Sequence, residues 1–432
     1  MLSLFLVIML IMNVSGCASR SPYEINLMPA PEIYGEEGVD PFIVSNPTAN
    51  LPYSGVLYAT DREPAGEKDK EQYYRNERGH LLRLGLANIE LGTGAMTWEE
   101  ARRISLLKDR TGSYPLRVVV VREIGVLDRS ISPFTDLSSI PVNLRGPAKE
   151  FSSMIDERLA LSRKKDIYIY LHGYKVIFEN PLLVAAELWH FLAYDGVFIA
   201  FAWPSTPSRW AYLYDLETAV YSSRSLRLFL EYLAEETSAD RIHIIGYSAG
   251  TRVVTGALQQ ITLMTTDEDS SAVRRKYRIG NVILVGSDLD RGIVGGYLVD
   301  GLLRVPERLT VYLSAGDQAL GLSRWIFGRQ RLGQIHEEGS MSPATVQYLR
   351  SEQNFVAIDV SDAEAATAGN GHAYFRKSPW VSSDILMTLL YDLKPENRGL
   401  ALMDELPLWT FPSDYIERLR KGIAAAREVP DR

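Results

Sequence analysis

One cysteine, Cys17, stands in 432 residues, so no disulfide can close within the chain and no thiol further along can act as nucleophile. Histidine is scarce too, with six in all, and each is worth placing. No long run of Lys or Arg occurs, and a net charge of -8 with a pI near 5.5 gives none of the basic surface that a nucleic-acid partner needs. What is present is ordinary for a folded enzyme: 46% hydrophobic and 23% charged residues, in a chain long enough for one large α/β domain with extensions or for two domains.

The first residues form the longest apolar run. Met1 to Val14 is too short to span a bilayer comfortably and ends at Val14-Ser15-Gly16-Cys17. It resembles a bacterial lipoprotein signal, cut before a cysteine that is then lipidated, although only the α-amino group supplies positive charge ahead of the apolar core. The expectation is a signal peptide at 1–16 and a lipid anchor to the membrane at Cys17. Ala18 in the following position points to the outer membrane where the organism has one. Six prolines between Pro22 and Pro52 mark residues 17–53 as a tether.

From Ser54 onward the pattern becomes that of α/β alternation. Apolar, β-branched stretches at Ser54–Thr60, Leu81–Leu91, Leu116–Ile124, Asp166–Leu171, Gly196–Ala202, Ile242–Tyr247, Asn281–Val285, Leu309–Leu313 and Phe355–Val360 read as strands. Leu116–Ile124 in particular reads as a buried one. Helical segments are expected at Trp98–Leu107, Ala148–Ala160, from Asn180 as cap with Pro181 in the first position, at Asp215–Leu233 and from Thr251 to Thr265, with a charged loop at Thr266–Lys276. Strands that are apolar throughout, separated by helix-length segments, predict a mostly parallel central sheet with helices on both faces. That fold is expected over 54–394, with 395–432 as a C-terminal extension.

In such sheets ligands bind outside the carboxyl ends of the strands, and chemistry is concentrated there. Ile242 to Tyr247 runs into Gly246-Tyr247-Ser248-Ala249-Gly250, the G-x-S-x-G pattern in its required setting of strand, tight turn and helix. Ser248 would sit exposed on a strained turn as nucleophile, with the glycines where a Cβ would strike a neighbouring element. Downstream strand ends carry Asp288, Asp290, Asp317 and His372, in the order serine, acid, histidine. His372 would take the serine proton, and a carboxylate would hold the imidazole tautomer. Asp317, after the strand preceding the histidine, is the favoured acid, with Asp288 and Asp290 as alternatives. His172-Gly173-Tyr174 ends another strand. The N–H groups of Tyr174 and Ala249 would form an oxyanion hole, His172 ordering the loop. His190 and His243 read as core residues; His80 and His336 lie in polar stretches. No histidine has the neighbours of a metal site, and no cofactor is implied. Trp203, Tyr212 and Tyr214 are candidates for pocket surface.

These residues resemble the α/β-hydrolase superfamily. The chain is also similar to a bacterial family of uncharacterised α/β-hydrolases, through Tyr58-Ala59-Thr60-Asp61-Arg62, Tyr168 to Tyr174, Phe178-Glu179, Phe201 to Ser205, Ile242 to Arg252, Asp288-Leu289-Asp290 and Val311 to Leu320. That family commonly has His before the nucleophile and Met-Gly after it, where this chain has Tyr247 and Ala249-Gly250. The resemblance implies the hydrolase fold and a serine hydrolase cleaving an ester, or an amide, of a small-molecule or lipid substrate through an acyl-enzyme. A noncatalytic envelope protein binding a lipid, glycan or protein in the same cleft is the competing expectation.

Overall fold

A computed structural model describes residues 23–428, except 36–38, 43–45, 47–48, 50, 53–54, 67–71, 93–95, 137–142, 144, 209–210, 315–316, 318–331, 333–341, 368–370 and 405. Along the chain come β1 (Glu24–Asn26), β2 (Val56–Pro64), β3 (Tyr74–Leu91), α1 (Trp98–Ser105), β4 (Pro115–Val126), α2 (Gly146–Leu159), β5 (Asp166–Leu171), α3 (Glu179–Phe191), β6 (Val197–Phe201), α4 (Tyr212–Glu236), β7 (Arg241–Tyr247) and α5 (Gly250–Met264). They are followed by α6 (Ser270–Tyr277), β8 (Ile279–Val285), α7 (Arg291–Val299), β9 (Arg308–Leu313), α8 (Pro343–Ser351), β10 (Phe355–Asp359), α9 (Tyr374–Lys377), α10 (Pro379–Tyr391), β11 (Ala401–Leu402), β12 (Trp409–Thr410) and α11 (Tyr415–Glu428).

The described strands make one sheet of twelve, ordered β1-β4-β3-β2-β6-β5-β7-β8-β9-β10-β12-β11. Every pairing from β2/β6 through β10/β12 is parallel; β1/β4, β4/β3, β3/β2 and β11/β12 are antiparallel. Helices cover both faces, as the apolar strands require. All residues of β5, β6 and β8 are buried, and at about 25 cal/mol per Å² of apolar surface this core supplies the main favourable term in folding.

The antiparallel side shapes the site. Ala59 of β2 pairs with Phe201 at the end of β6, yet β2 continues to Pro64, which pairs with Tyr74 at the start of β3. At about 3.3 Å per residue, the β2–β3 hairpin overhangs the carboxyl edge of its parallel neighbour by roughly 16 Å.

Four expectations change. β4 is a strand, but not a buried one, since Val119 and Val120 are half exposed. A β-branched run met the strand preference without a second layer to cover its outer face. The presumed loop at 266–276 contains α6, capped by Asp269, whose side chain accepts from the Ala272 N–H, and anchored by buried Val273 and Tyr277. Two apolar residues among charges are too few to display a stripe. Helix α3 starts at Glu179, so Asn180 lies inside it and donates to the Tyr23 hydroxyl instead of capping. The described part of the proline-rich segment is packed rather than free: Leu27, Met28 and Ile33 are buried, and Arg110 donates to the carbonyls of Leu27 and Met28.

At the far edge β12 extends the sheet beyond β10, and Arg398 forms a fully buried pair with Asp384, Nε to Oδ1 2.8 Å, while the Tyr312 hydroxyl donates to the other carboxylate oxygen at 2.6 Å. Residues 395–428 thus close the sheet.

Candidate active site

Strand β7 hands the chain to α5 through a single left-handed residue. Ser248 has φ +52°, its N–H donates to the Val285 carbonyl at 2.9 Å, and its own carbonyl accepts from the Thr251 N–H and hydroxyl. A non-glycine residue in this region is strained, and here hydrogen bonds to the next strand and the next helix hold it. Close approach explains the glycines. A Cβ on Gly250 would lie 2.4 Å from the His172 carbonyl oxygen, and one on Gly173 would lie 2.9 Å from the Ser248 Cβ and 3.3 Å from its Oγ. The loop after β5 therefore passes directly over the serine.

His372 arrives from the loop after β10. Its Nδ1 is 2.6 Å from Asp317 Oδ2; against a carboxylate the Nδ1 is the donor, which leaves the Nε2 lone pair for another proton. Both side chains are nearly buried. The imidazole packs on the Tyr247 ring, centroids 5.1 Å apart, and a Cβ on Gly286 would meet His372 Cε1 at 3.0 Å. Gly286 directly follows Val285, the residue that accepts from Ser248. Nucleophile turn and imidazole thus share the tip of β8 and the ring of Tyr247.

Tyr374, fully buried, ties this corner together. Its hydroxyl accepts from the Gly286 N–H at 2.7 Å and donates to the Tyr312 carbonyl at 3.0 Å, joining the histidine loop to β8 and to the strand leading to Asp317. Nothing in the sequence marked it; only the crossing of three distant segments gives that hydroxyl its partners.

The alternative acids are engaged elsewhere. Asp288 pairs with Arg252, Nε to Oδ1 2.8 Å, and accepts from the Tyr212 hydroxyl. Asp290 caps α7 by accepting from the N–H groups of Gly292 and Ile293. Arg252, in the first turn of α5 and four residues after Ser248, was also missed by sequence reasoning.

On the other side, Tyr174 packs edge-on against Tyr212 with centroids 5.1 Å apart. His172 is fully buried and stacked on Trp203 at 5.2 Å; its Nδ1 and Nε2 lie 2.7 and 3.0 Å from the carbonyls of Gly173 and Trp203, and a neutral ring donates to one of them. Burial, with Arg62 nearby, pushes its pKa down to about 3, which suits a loop-ordering residue rather than a proton carrier. Trp203 is core, its indole N–H donating to the His172 carbonyl at 2.7 Å. Tyr212 and Tyr214 do reach the surface around the site.

A second serine–histidine contact lies at the opposite, amino edge of the sheet. Ser105 Oγ is 2.7 Å from His190 Nε2, whose other nitrogen meets the Tyr194 hydroxyl at 3.0 Å instead of a carboxylate. Burial lowers the His190 pKa to about 3, so this pair is a neutral packing contact. His243, inside β7, accepts from the Asn281 N–H at 3.0 Å beside Asp166. His80 is exposed on β3. Among the described residues no three His, Cys, Asp or Glu side chains gather as metal ligands, and no helix is long and apolar enough to cross a membrane. Cys17 with its signal segment, and His336, lie outside the described residues.

Residues 148–390, over half the chain, match the family described as "Alpha/beta hydrolase of unknown function (DUF900)". Among solved structures, the chain is similar to esterase B from Lactobacillus rhamnosis inhibited by a tributyrin phosphonate, at 13% identity over 62% of this chain and 78% of that one, TM-score 0.27. It is also similar to a lipase-esterase related protein from Clostridium acetobutylicum, at 13% identity over 62% of this chain and 93% of that one, TM-score 0.21. No curated protein matches.

Proposed function

The chain belongs to the alpha/beta hydrolases of unknown function (DUF900), and we propose that it is a serine hydrolase that cleaves an ester through an acyl-enzyme, with Ser248 as nucleophile, His372 as general base and acid, and Asp317 as the orienting carboxylate. The observation that carries this reading is the 2.6 Å contact between His372 Nδ1 and Asp317 Oδ2 beside a serine held at φ +52°. The Ser248 Oγ attacks the ester carbonyl as its proton passes to His372 Nε2. Negative charge gathers on the carbonyl oxygen, where the N–H groups of Tyr174 and Ala249 bind it more tightly than they bind the ground state. Collapse expels the alcohol, which takes the proton from His372. Water then attacks the acyl-serine, His372 accepts its proton and returns it to Ser248 Oγ, and the carboxylic acid leaves.

The ion pair of Asp288 with Arg252 has a different part. It fixes the start of α5 against the loop after β8, so the nucleophile turn cannot drift from the strand that supports it. A fluorophosphonate probe tests the proposal: it should label the purified protein at one site and leave Ser248→Ala unlabelled. Equal labelling of that variant would refute it.

A further inference from the structure

We propose that the substrate is an O-acylated carbohydrate, and that its sugar part lies in a polar cleft between the overhanging β2–β3 hairpin and the first turn of α4; this rests on the serine hydrolase reading of the neighbouring site. The cleft measures about 620 Å³ and is lined by Gln72 just ahead of β3, Arg75, Asn76 and Glu77 at its start, Thr206 after β6, and Ala211 and Tyr214 at the start of α4, a volume within the range of ordinary ligand sites. It adjoins the oxyanion loop. Asp215 accepts from the Thr206 N–H at 3.0 and 3.1 Å and also from the Lys175 N–H, so one carboxylate holds the cleft wall and the residue after Tyr174 together.

The lining selects a chemistry. Arg75 and Glu77 bring one charge of each sign to the described lining, which suits a ligand without net charge. Asn76 Oδ1 accepts from Arg62 at 2.6 Å, so the donating NH2 is the amide group that Asn76 can offer a ligand, and Gln72 and Thr206 add both donors and acceptors. Tyr214 is 49% exposed and backed by the Arg78 guanidinium 5.2 Å from its ring centroid. An aromatic face among amide and hydroxyl groups suits a sugar ring, which has C–H faces and a rim of hydroxyls. A long acyl chain would need an apolar trough instead. An apolar cavity of about 270 Å³ among the described residues, with Leu27, Leu91, Leu116 and Trp189 in its walls, lies at the amino edge of the sheet, away from Ser248.

Two measurements test this. Calorimetric titration of Ser248→Ala with O-acetylated xylotriose reads binding without turnover, and steady-state hydrolysis by the wild type reads the productive complex. Tyr214→Ala and Gln72→Ala should raise the Kd and KM for the trisaccharide about tenfold while p-nitrophenyl acetate, too small to fill the cleft, is hydrolysed within about twofold of wild type. Trisaccharide binding by Ser248→Ala that Tyr214→Ala leaves unchanged, or no binding at all, would overturn the cleft assignment. So would a Tyr214-dependent preference for N-acetyl-trialanine methyl ester, which would make the ligand a peptide. Failure of the hydrolase reading shows separately, as absent Ser248 labelling by the fluorophosphonate, and leaves the titration result intact.

Discussion

The antiparallel flange β1–β4 and the parallel strands β5 to β10 belong to one sheet, but they meet solvent differently. In the parallel part, helices lie on both faces and the strands are apolar almost throughout; in β4, residues such as Val119 and Val120 are half exposed. Parallel strands need crossovers, crossovers put helices on the faces, and covered faces tolerate few polar groups. The parallel half therefore carries polar side chains such as Ser248, Asp317 and His372 beyond the points where its strands stop. The flange pairs antiparallel, with β2 and β3 as a hairpin, and is under no such constraint. Its β2–β3 hairpin runs past the end of its parallel neighbour, from Ala59 to Pro64. One half has covered strands with polar side chains beyond their ends, and the other carries a hairpin that stands past its parallel neighbour.

The largest effect that would break this division concerns the acid. Asp317→Asn should lower ester hydrolysis about 10³- to 10⁴-fold with folding intact, because the imidazole loses its fixed tautomer. Asp288→Asn should instead act mainly on stability, by about 2 kcal/mol, as a charge-assisted bond to Arg252 is lost. Turnover and urea denaturation of both variants check this, and loss of turnover in the second alone would move the acid to Asp288.

A smaller effect concerns the corner where the parallel strands converge. Tyr374→Phe leaves the Gly286 N–H buried without its acceptor, at a cost of about 1–3 kcal/mol. Part of that cost should appear as a fall in kcat of about tenfold, with KM little changed, since the hydroxyl holds the histidine loop and touches no substrate. An unaltered kcat would make Tyr374 a purely structural tie. The smallest effect separates the two faces directly. Val120→Thr in the flange should change stability by no more than about 0.5 kcal/mol, while Val282→Thr, fully buried in β8, should cost roughly 1–3 kcal/mol for an unpaired hydroxyl. Equal losses in chemical denaturation would mean that the flange is covered in solution.

The same contrast governs what could be read in advance. β5 through β10 were legible because covered faces leave unbroken apolar runs, and the nucleophile turn because glycine, serine and glycine at fixed spacing follow one of those runs. β4 has the same β-branched residues, yet composition could not say whether a second layer lies over them. Helix α6 hid among charges, and Leu27, Met28 and Ile33 hid among prolines, because burial there depends on surfaces contributed by residues far along the chain. Tyr374, two positions after His372, had no local signal of any kind.

Local residue order was sufficient for the parallel core and for the strand–turn–helix around Ser248, because each depends on neighbours within a few positions. The pairing of Asp317 with His372 required folding: a hydrogen bond to a histidine 55 positions away depends on where two loops end, and no local preference encodes that separation. The roughly 16 Å overhang of the hairpin has the same origin, since it is set by the register between β2 and β6, strands whose pairing the chain closes only after more than a hundred residues.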